Sequence, residues 1–250
     1  MTPGRNPQCP VKNLIKSILQ QFGYDLVRLP YPGSLGRHLQ EIFRDSDINL
    51  VCDVGARHGE YSGELRGYGY HGWVASFEPV SENFQTITKN RHGDNHWKGF
   101  NMALGSAPTK LEINVTAGSA MSSFHKPNEY AKNEFTEDSV ITRTEEVDVQ
   151  TLAAMLPELK KLVPDPRIYL KLDTQGFDLE VLKGAEPVLK HVHALQSEVS
   201  IKPIYENMPP YAEAIAAYQS HGFELAGLYP VHADKSGAVI EFDCVMIRPS

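Results

Sequence analysis

Val11, Leu14, Ile15, Ile18, Leu19 and Phe22 recur at i, i+3, i+4, i+7, i+8 and i+11. That spacing is one face of an α-helix, and Gly23 closes it. A polar tail with three prolines precedes the helix, residues 24–29 predict a short strand, and Pro30-Tyr31-Pro32-Gly33 links to a helix over 35–44. From Leu50 the period changes. Short apolar runs at 50–54, 73–77, 97–104, 167–173 and 194–199 read as strands, the third parallel to its predecessors. Between them lie helical patterns from Gly59, at 83–91 with Ser81 as cap, at 151–162, at 177–183, from Pro187, and from Pro209-Pro210 to His221. Residues 111–116 form a further strand, and 118–139 are polar with little periodicity, the signature of a functional loop such as a lid. Strands at 223–229 and 239–248 are joined too closely for a parallel crossover and must be antiparallel. Alternating strands and helices imply an α/β, doubly wound, mostly parallel sheet covered on both faces. The chain divides into an N-terminal tail, amphipathic helix and linker at 1–48 and a single domain at 49–250.

That domain is organised around Asn49-Leu50-Val51-Cys52-Asp53-Val54-Gly55-Ala56-Arg57-His58-Gly59-Glu60-Tyr61-Ser62. The strand stops at Gly55 and turns through Ala56, Arg57 and His58. A helix opens at Gly59, with Glu60 at the positive end of its dipole. Gly55 permits an unusual turn and close approach of a ligand, which free N–H groups at the helix start are expected to face. Asp53 offers a carboxylate to a ligand amine or hydroxyl. Glu78, at the tip of the second strand, stands where such a sheet holds a ribose diol. Arg57 occupies the place of a dinucleotide fingerprint's second glycine, where a side chain crowds a pyrophosphate. S-adenosylmethionine has no phosphate to be crowded.

Composition narrows the classes further. At 250 residues the chain suffices for one large α/β domain, and its 41% hydrophobic and 22% charged content is ordinary for a globular protein. A net charge of -7 argues against a broad grip on nucleic acid. Cys9, Cys52 and Cys244 are an odd count without paired spacing, which fits a reducing compartment and no zinc site. No run approaches a membrane span and the N-terminus lacks a signal-peptide core, so a cytoplasmic location is expected.

Six pieces in order resemble the FkbM family of O-methyltransferases: Asp53-Val54-Gly55-Ala56-x-x-Gly59-Glu60-Tyr61-Ser62, Phe77-Glu78-Pro79, Asn101-Met102-Ala103-Leu104-Gly105, Ser122-Ser123, Val149-x-Thr151-Leu152, and Leu170-Lys171-Leu172-Asp173-Thr174-Gln175-Gly176-x-Asp178-x-Glu180. The resemblance runs from about Asn49 to Arg248. Arg57 departs from the usual Asn, and Gln175 and Asp178 stand where Glu is frequent. The resemblance implies a class I, Rossmann-like methyltransferase fold: seven strands, mostly parallel, with an antiparallel last strand. It implies methyl transfer from S-adenosylmethionine to a hydroxyl of a sugar, glycolipid or specialised metabolite such as a polyketide. Asp53, Gly55 and Gly59 are then expected at the methionine end, Glu78 at the ribose, and Met102 and Ala103 at the adenine. Ala56, Pro79 and Asp173 complete the expected cofactor residues.

Methyl transfer from a sulfonium requires alignment and removal of the hydroxyl proton. Asp173 and Glu198 end strands on the side where open α/β sheets bind ligands, and so face the acceptor, although Asp173 before Thr174 equally fits a capping carboxylate. Together they could hold a divalent cation, though no spacing demands one. Histidine is the natural base near neutrality: His58 sits in the cofactor turn, His125 in the expected lid and His232 in the last loop, each equally readable as a surface residue. His191 and His193, at a helix end, read as structural, and Tyr130 and Tyr205 as candidates for stacking on a sugar. Two alternatives stay open: an NAD- or nucleotide-sugar-dependent oxidoreductase, and a non-catalytic Rossmann-like binding module. For the N-terminal helix, with Lys12 and Lys16 beside its stripe, the expected partners are its own domain, a homodimer mate or a membrane surface.

Overall fold

The computed structural model describes residues 10–24 and 30–249. The tail before Pro10 and the strand expected after Tyr24 lie outside the described residues. Helix α1 spans Pro10–Gln21 and α2 Leu35–Asp45, the latter capped by Ser34, whose hydroxyl accepts the Arg37 N–H. The domain then runs β1 Leu50–Val54, α3 Glu60–Gly67, β2 Trp73–Phe77, α4 Ser81–Asn90, β3 Trp97–Phe100, β4 Ala103–Leu104, β5 Thr109–Thr116, α5 Glu129–Glu134 and β6 Ile141–Gln150. It continues with α6 Leu152–Leu162, β7 Ile168–Leu172, α7 Asp178–Ala185, a 3-10 turn Glu186–His191, β8 Val192–Ser200, α8 Tyr211–Ser220, β9 Glu224–Ala233 and β10 Val239–Ile247.

Seven strands form one sheet in the order β3-β2-β1-β7-β8-β10-β9, parallel except for β10, which runs antiparallel between β8 and β9. Strand order reverses at β1, between β2 and β7, so the crevice beyond its carboxyl end is the topological binding point. Both faces are buried. On one, Leu50, Cys52, Val54, Leu170 and Leu195 pack with Leu152, Leu159, Val181 and Tyr218 of α6, α7 and α8. On the other, Val51, Val74, Tyr169, Ala194 and Val245 pack with Leu39, Ile42, Phe43 and Leu65 of α2 and α3.

Several local expectations need correction. Ser81 is the first residue of α4, not its cap; its hydroxyl donates to Glu145, and Val80 precedes the helix with its N–H on Glu78. The strand expected over 97–104 breaks after Phe100, and Ala103–Leu104 joins a second sheet, ordered β4-β6-β5. Strand β6 has no counterpart in the sequence reading. The segment 118–139 is anchored: α5 is capped by Asn128, and bridges join Asn114 to Ser123 and Pro127 to Tyr205. His193 lies within β8 and not at a helix end, and burial with nearby cations lowers the pKa of both His191 and His193, against the dipole reading.

Candidate active site

The turn after β1 is built from left-handed backbone. Gly55 has φ 85°, and a Cβ there would lie 2.0 Å from the Asp173 carbonyl oxygen, so the close approach that demands glycine is to the end of β7. Arg57 holds φ 46°, an uncommon conformation for a side-chain-bearing residue. Gly59, at φ 84°, faces Ile87 of α4 and not the cleft. The N–H groups of the turn itself are engaged within the protein. Those of Gly55 and Ala56 donate to Phe77 O, that of Arg57 to Glu78 Oε2 at 2.7 Å, and that of His58 to Glu60.

Beyond these strand ends lies a cleft of about 710 Å³, lined among others by Asp53, Gly55, Ala56, Arg57, Glu78, Pro79 and Ala103. Its size suits a small-molecule site. Asp53 is fully buried; Ser76 donates to its Oδ2, while Oδ1 has no hydrogen-bond partner among the described residues. Burial raises its pKa to about 6, against the pull of Lys171. Glu78 is also buried, and desolvation lifts its pKa to about 7 despite N–H donation from Val80, Arg57 and Asn83. Asn101 fixes this strand tip by donating to the Glu78 and Pro79 carbonyls. Met102 packs on the core and does not line the cleft, where Ala103 and Leu104 do.

Register explains the cleft floor. Asp53 pairs with Ser76 and Lys171, Lys171 with Gln196, Glu198 with Asp243, and Glu241 with Ser200 and His232. Cross-strand partners share a face, so these polar side chains lie together on one face of the sheet. There Lys171 Nζ donates to Asp173 Oδ2 at 2.7 Å, and Gln175 donates to Oδ1 at 2.8 Å. The ammonium of Lys171 holds the Asp173 carboxyl below the usual range against burial. Glu198, hydrogen-bonded to both Asp173 and Glu241, is pushed well above it by desolvation and by those neighbouring charges. Ser200 donates to Glu241 at 2.8 Å, and Gln196 bridges Asp243 to the hydroxyls of Tyr61 and Tyr169.

The structure therefore brings Asp173, Glu198 and His232 to one cleft, with His232 on β9 and not in a loop. It does not bring His58 or His125 there. His58 faces Asn83 and Glu60, and His125 is half-buried by the Phe177 ring, with its pKa lowered by desolvation. Tyr205 is buried and donates to Gln175 and the Met121 carbonyl, and Tyr130 packs against the Met121 cluster, so neither offers a stacking surface in the cleft. Among the described residues no group of three His, Cys, Asp or Glu side chains could hold a metal ion, which removes support for the divalent cation at Asp173 and Glu198. Lys171, Glu241, Asp243 and Gln196 are site residues that the sequence reading passed over.

The donor set fits S-adenosylmethionine. The unpaired Asp53 Oδ1 suits a cationic amine, and an ionised Glu78 has about four lone-pair sites for its three internal donors, leaving room for a diol hydroxyl. Fold and site together define a class I S-adenosylmethionine-dependent methyltransferase. A family model described as the methyltransferase FkbM domain matches residues 53–225, and the chain belongs to that family. No curated protein matches it.

Solved structures resemble it distantly. Magnesium protoporphyrin IX methyltransferase from Synechocystis PCC 6803 with bound SAM is 10% identical at TM-score 0.45, over 98% of this chain and 100% of that one. A putative tRNA methyltransferase of Streptococcus pneumoniae in complex with S-adenosyl-L-methionine is 13% identical at 0.47, over 86% and 73%. Aeropyrum pernix fibrillarin with natively bound S-adenosyl-L-methionine is 8% identical at 0.42, over 80% and 66%.

Proposed function

We propose that the protein methylates a hydroxyl oxygen of a small molecule: a sugar, a glycolipid or a specialised metabolite. One observation carries the reading. Asp173, its carboxyl held below the usual range by the Lys171 ammonium, lies on the cleft floor beside Glu198, whose carboxyl is pushed well above that range by burial and the neighbouring acids. Asp53, Gly55, Ala56, Glu78, Pro79 and Ala103 are the residues that would hold S-adenosylmethionine. When bound it supplies a methyl group on a positively charged sulfur, a good leaving group that needs no metal or covalent help.

The chain's own task is then to place the acceptor oxygen and take its proton. A hydroxyl becomes strongly acidic as its oxygen is alkylated, so a weak but ionised base suffices, and Asp173 is that base. Glu198, donating to Asp173, orients it and tempers its charge. Glu241 and His232 follow on the same face of the sheet and give the proton a route to water.

The test uses methyl-labelled cofactor with pools of candidate hydroxyl compounds, reading a gain of one methylene by mass and the site of attachment by carbon NMR. Asp173→Asn is expected to lower turnover by about 10²- to 10⁴-fold, the range of general-base loss, with S-adenosylhomocysteine affinity nearly unchanged. Label on nitrogen or carbon, or a fully active Asp173→Asn, overturns the reading.

A further inference from the structure

We infer that α1 docks the protein on an anionic lipid surface. Four residues of its apolar stripe are exposed: Leu14 is 62% exposed, Ile15 45%, Ile18 47% and Phe22 73%, with Tyr24 at 68% just beyond. None of the four belongs to a core cluster among the described residues. In the sequence, Lys12 and Lys16 alternate with the stripe positions, and Pro10–Gln21 contains no acidic residue. Residues 1–28 carry Arg5, Lys12, Lys16 and Arg28 against Asp25 alone, in a chain whose net charge is -7.

This charge distribution selects the occupant. Two copies of α1 packed stripe to stripe would bring lysines together with no acidic partner on either helix. A bilayer surface accepts both features at once: an apolar stripe sinks to the acyl boundary, and a segment of positive charge is drawn to lipid phosphates. A tyrosine at the helix end suits the headgroup level, where its ring and hydroxyl meet different media. The acidic remainder of the chain is repelled by the same surface, which confines contact to the N-terminal helix.

The experiment is co-sedimentation of the full chain with vesicles of phosphatidylcholine containing about one third phosphatidylglycerol, beside vesicles of phosphatidylcholine alone. Binding is expected to the first, weaker at high salt, and at least tenfold weaker to the second. Ile18→Glu with Leu14→Glu should reduce binding to background. Lys12→Gln with Lys16→Gln should reduce it by roughly 20- to 30-fold, at about 1 kcal/mol for each basic residue at such a surface. S-adenosylhomocysteine affinity reports the fold of every variant and should not move. The inference is overturned by absence of binding to anionic vesicles, by equal binding of the two vesicle types, by variants that bind as the wild type does, or by light scattering that shows a dimer dissolved by Ile18→Glu.

Discussion

Arg57 joins both walls of the cleft to Glu78 and Ser119: its backbone N–H donates to Glu78 Oε2 at 2.7 Å and its guanidinium to Ser119 Oγ at 2.9 Å. The same guanidinium reaches Glu60 Oε1 and the Gly118 carbonyl. The residue that crowds out a pyrophosphate is thus a latch between the cofactor turn and the loop over it. Ser119 itself sits at φ 45°, so the latched loop is held in a conformation it would not choose alone.

Cutting that latch should loosen the loop more than the fold. Arg57 is 38% exposed at its side chain, so solvent screening limits its contribution to about 1 kcal/mol. Arg57→Ala is expected to release S-adenosylhomocysteine several-fold faster in stopped flow and to raise amide exchange across residues 117–122, with thermal stability nearly unchanged. Unaltered exchange in that loop would count against the latch.

Glu78 makes stability and cofactor affinity respond oppositely to pH. Its folded pKa of about 7 lies above the ordinary 4.5, so between these values the folded chain keeps a proton the unfolded chain has lost. Stability contributed by this group is therefore full below pH 4.5 and falls as pH rises through about 7, by on the order of 3 kcal/mol. Relative to wild type, Glu78→Gln should gain stability across that window in thermal melts. A ribose diol donates to the ionised form, so cofactor affinity should rise towards pH 7 with proton release, visible by calorimetry in buffers of different ionisation enthalpy.

Local chemistry explains what was legible beforehand. Asp53 to Glu60 and Trp73 to Glu78 are strand-turn-helix signals contained within a few residues, and the structure keeps them in place. Strand β6 was missed because Ile141-Thr142-Arg143-Thr144-Glu145-Glu146 is polar and mostly exposed, and only its pairing with β5 makes it a strand. Lys171 did leave a signal: a lone cation within the otherwise apolar, fully buried Ile168–Leu172 needs a counter-ion. Glu241 and Asp243 were similarly visible as alternating acids in an apolar strand. Which strands bring them opposite Ser200 and Glu198 depends on sheet order, which no local pattern specifies.

Lys171 should be essential to the charge balance of this polar face. Its side chain is 8% exposed and 2.7 Å from Asp173, with Asp53 and Asp243 also acting on it. Lys171→Met leaves those acids uncompensated and is expected to cost about 3 kcal/mol in chemical denaturation. Adding Asp173→Asn should recover part of that loss, a coupling of about 1–3 kcal/mol. Lys171→Met should also move the acid limb of the rate profile to higher pH, because Asp173 loses the charge that keeps its pKa down.

The two turn glycines should separate by what their missing side chains would strike. At Gly55 a methyl group meets the Asp173 carbonyl at 2.0 Å, and backbone at the end of a central strand cannot step aside. At Gly59 it meets Ile87 Cγ1 at 2.7 Å, a side chain with other rotamers available. Both positions have positive φ, worth roughly 1–2 kcal/mol against any L-residue. Gly59→Ala should therefore cost little beyond that strain and keep cofactor binding within about an order of magnitude, since Gly59 faces α4 and not the cleft. Gly55→Ala should cost at least about 3 kcal/mol and, where the variant is soluble, displace Asp173 and lower turnover more than cofactor affinity. Equal melting temperatures for the two variants would mean that β1 and β7 do not meet as closely as Gly55 requires.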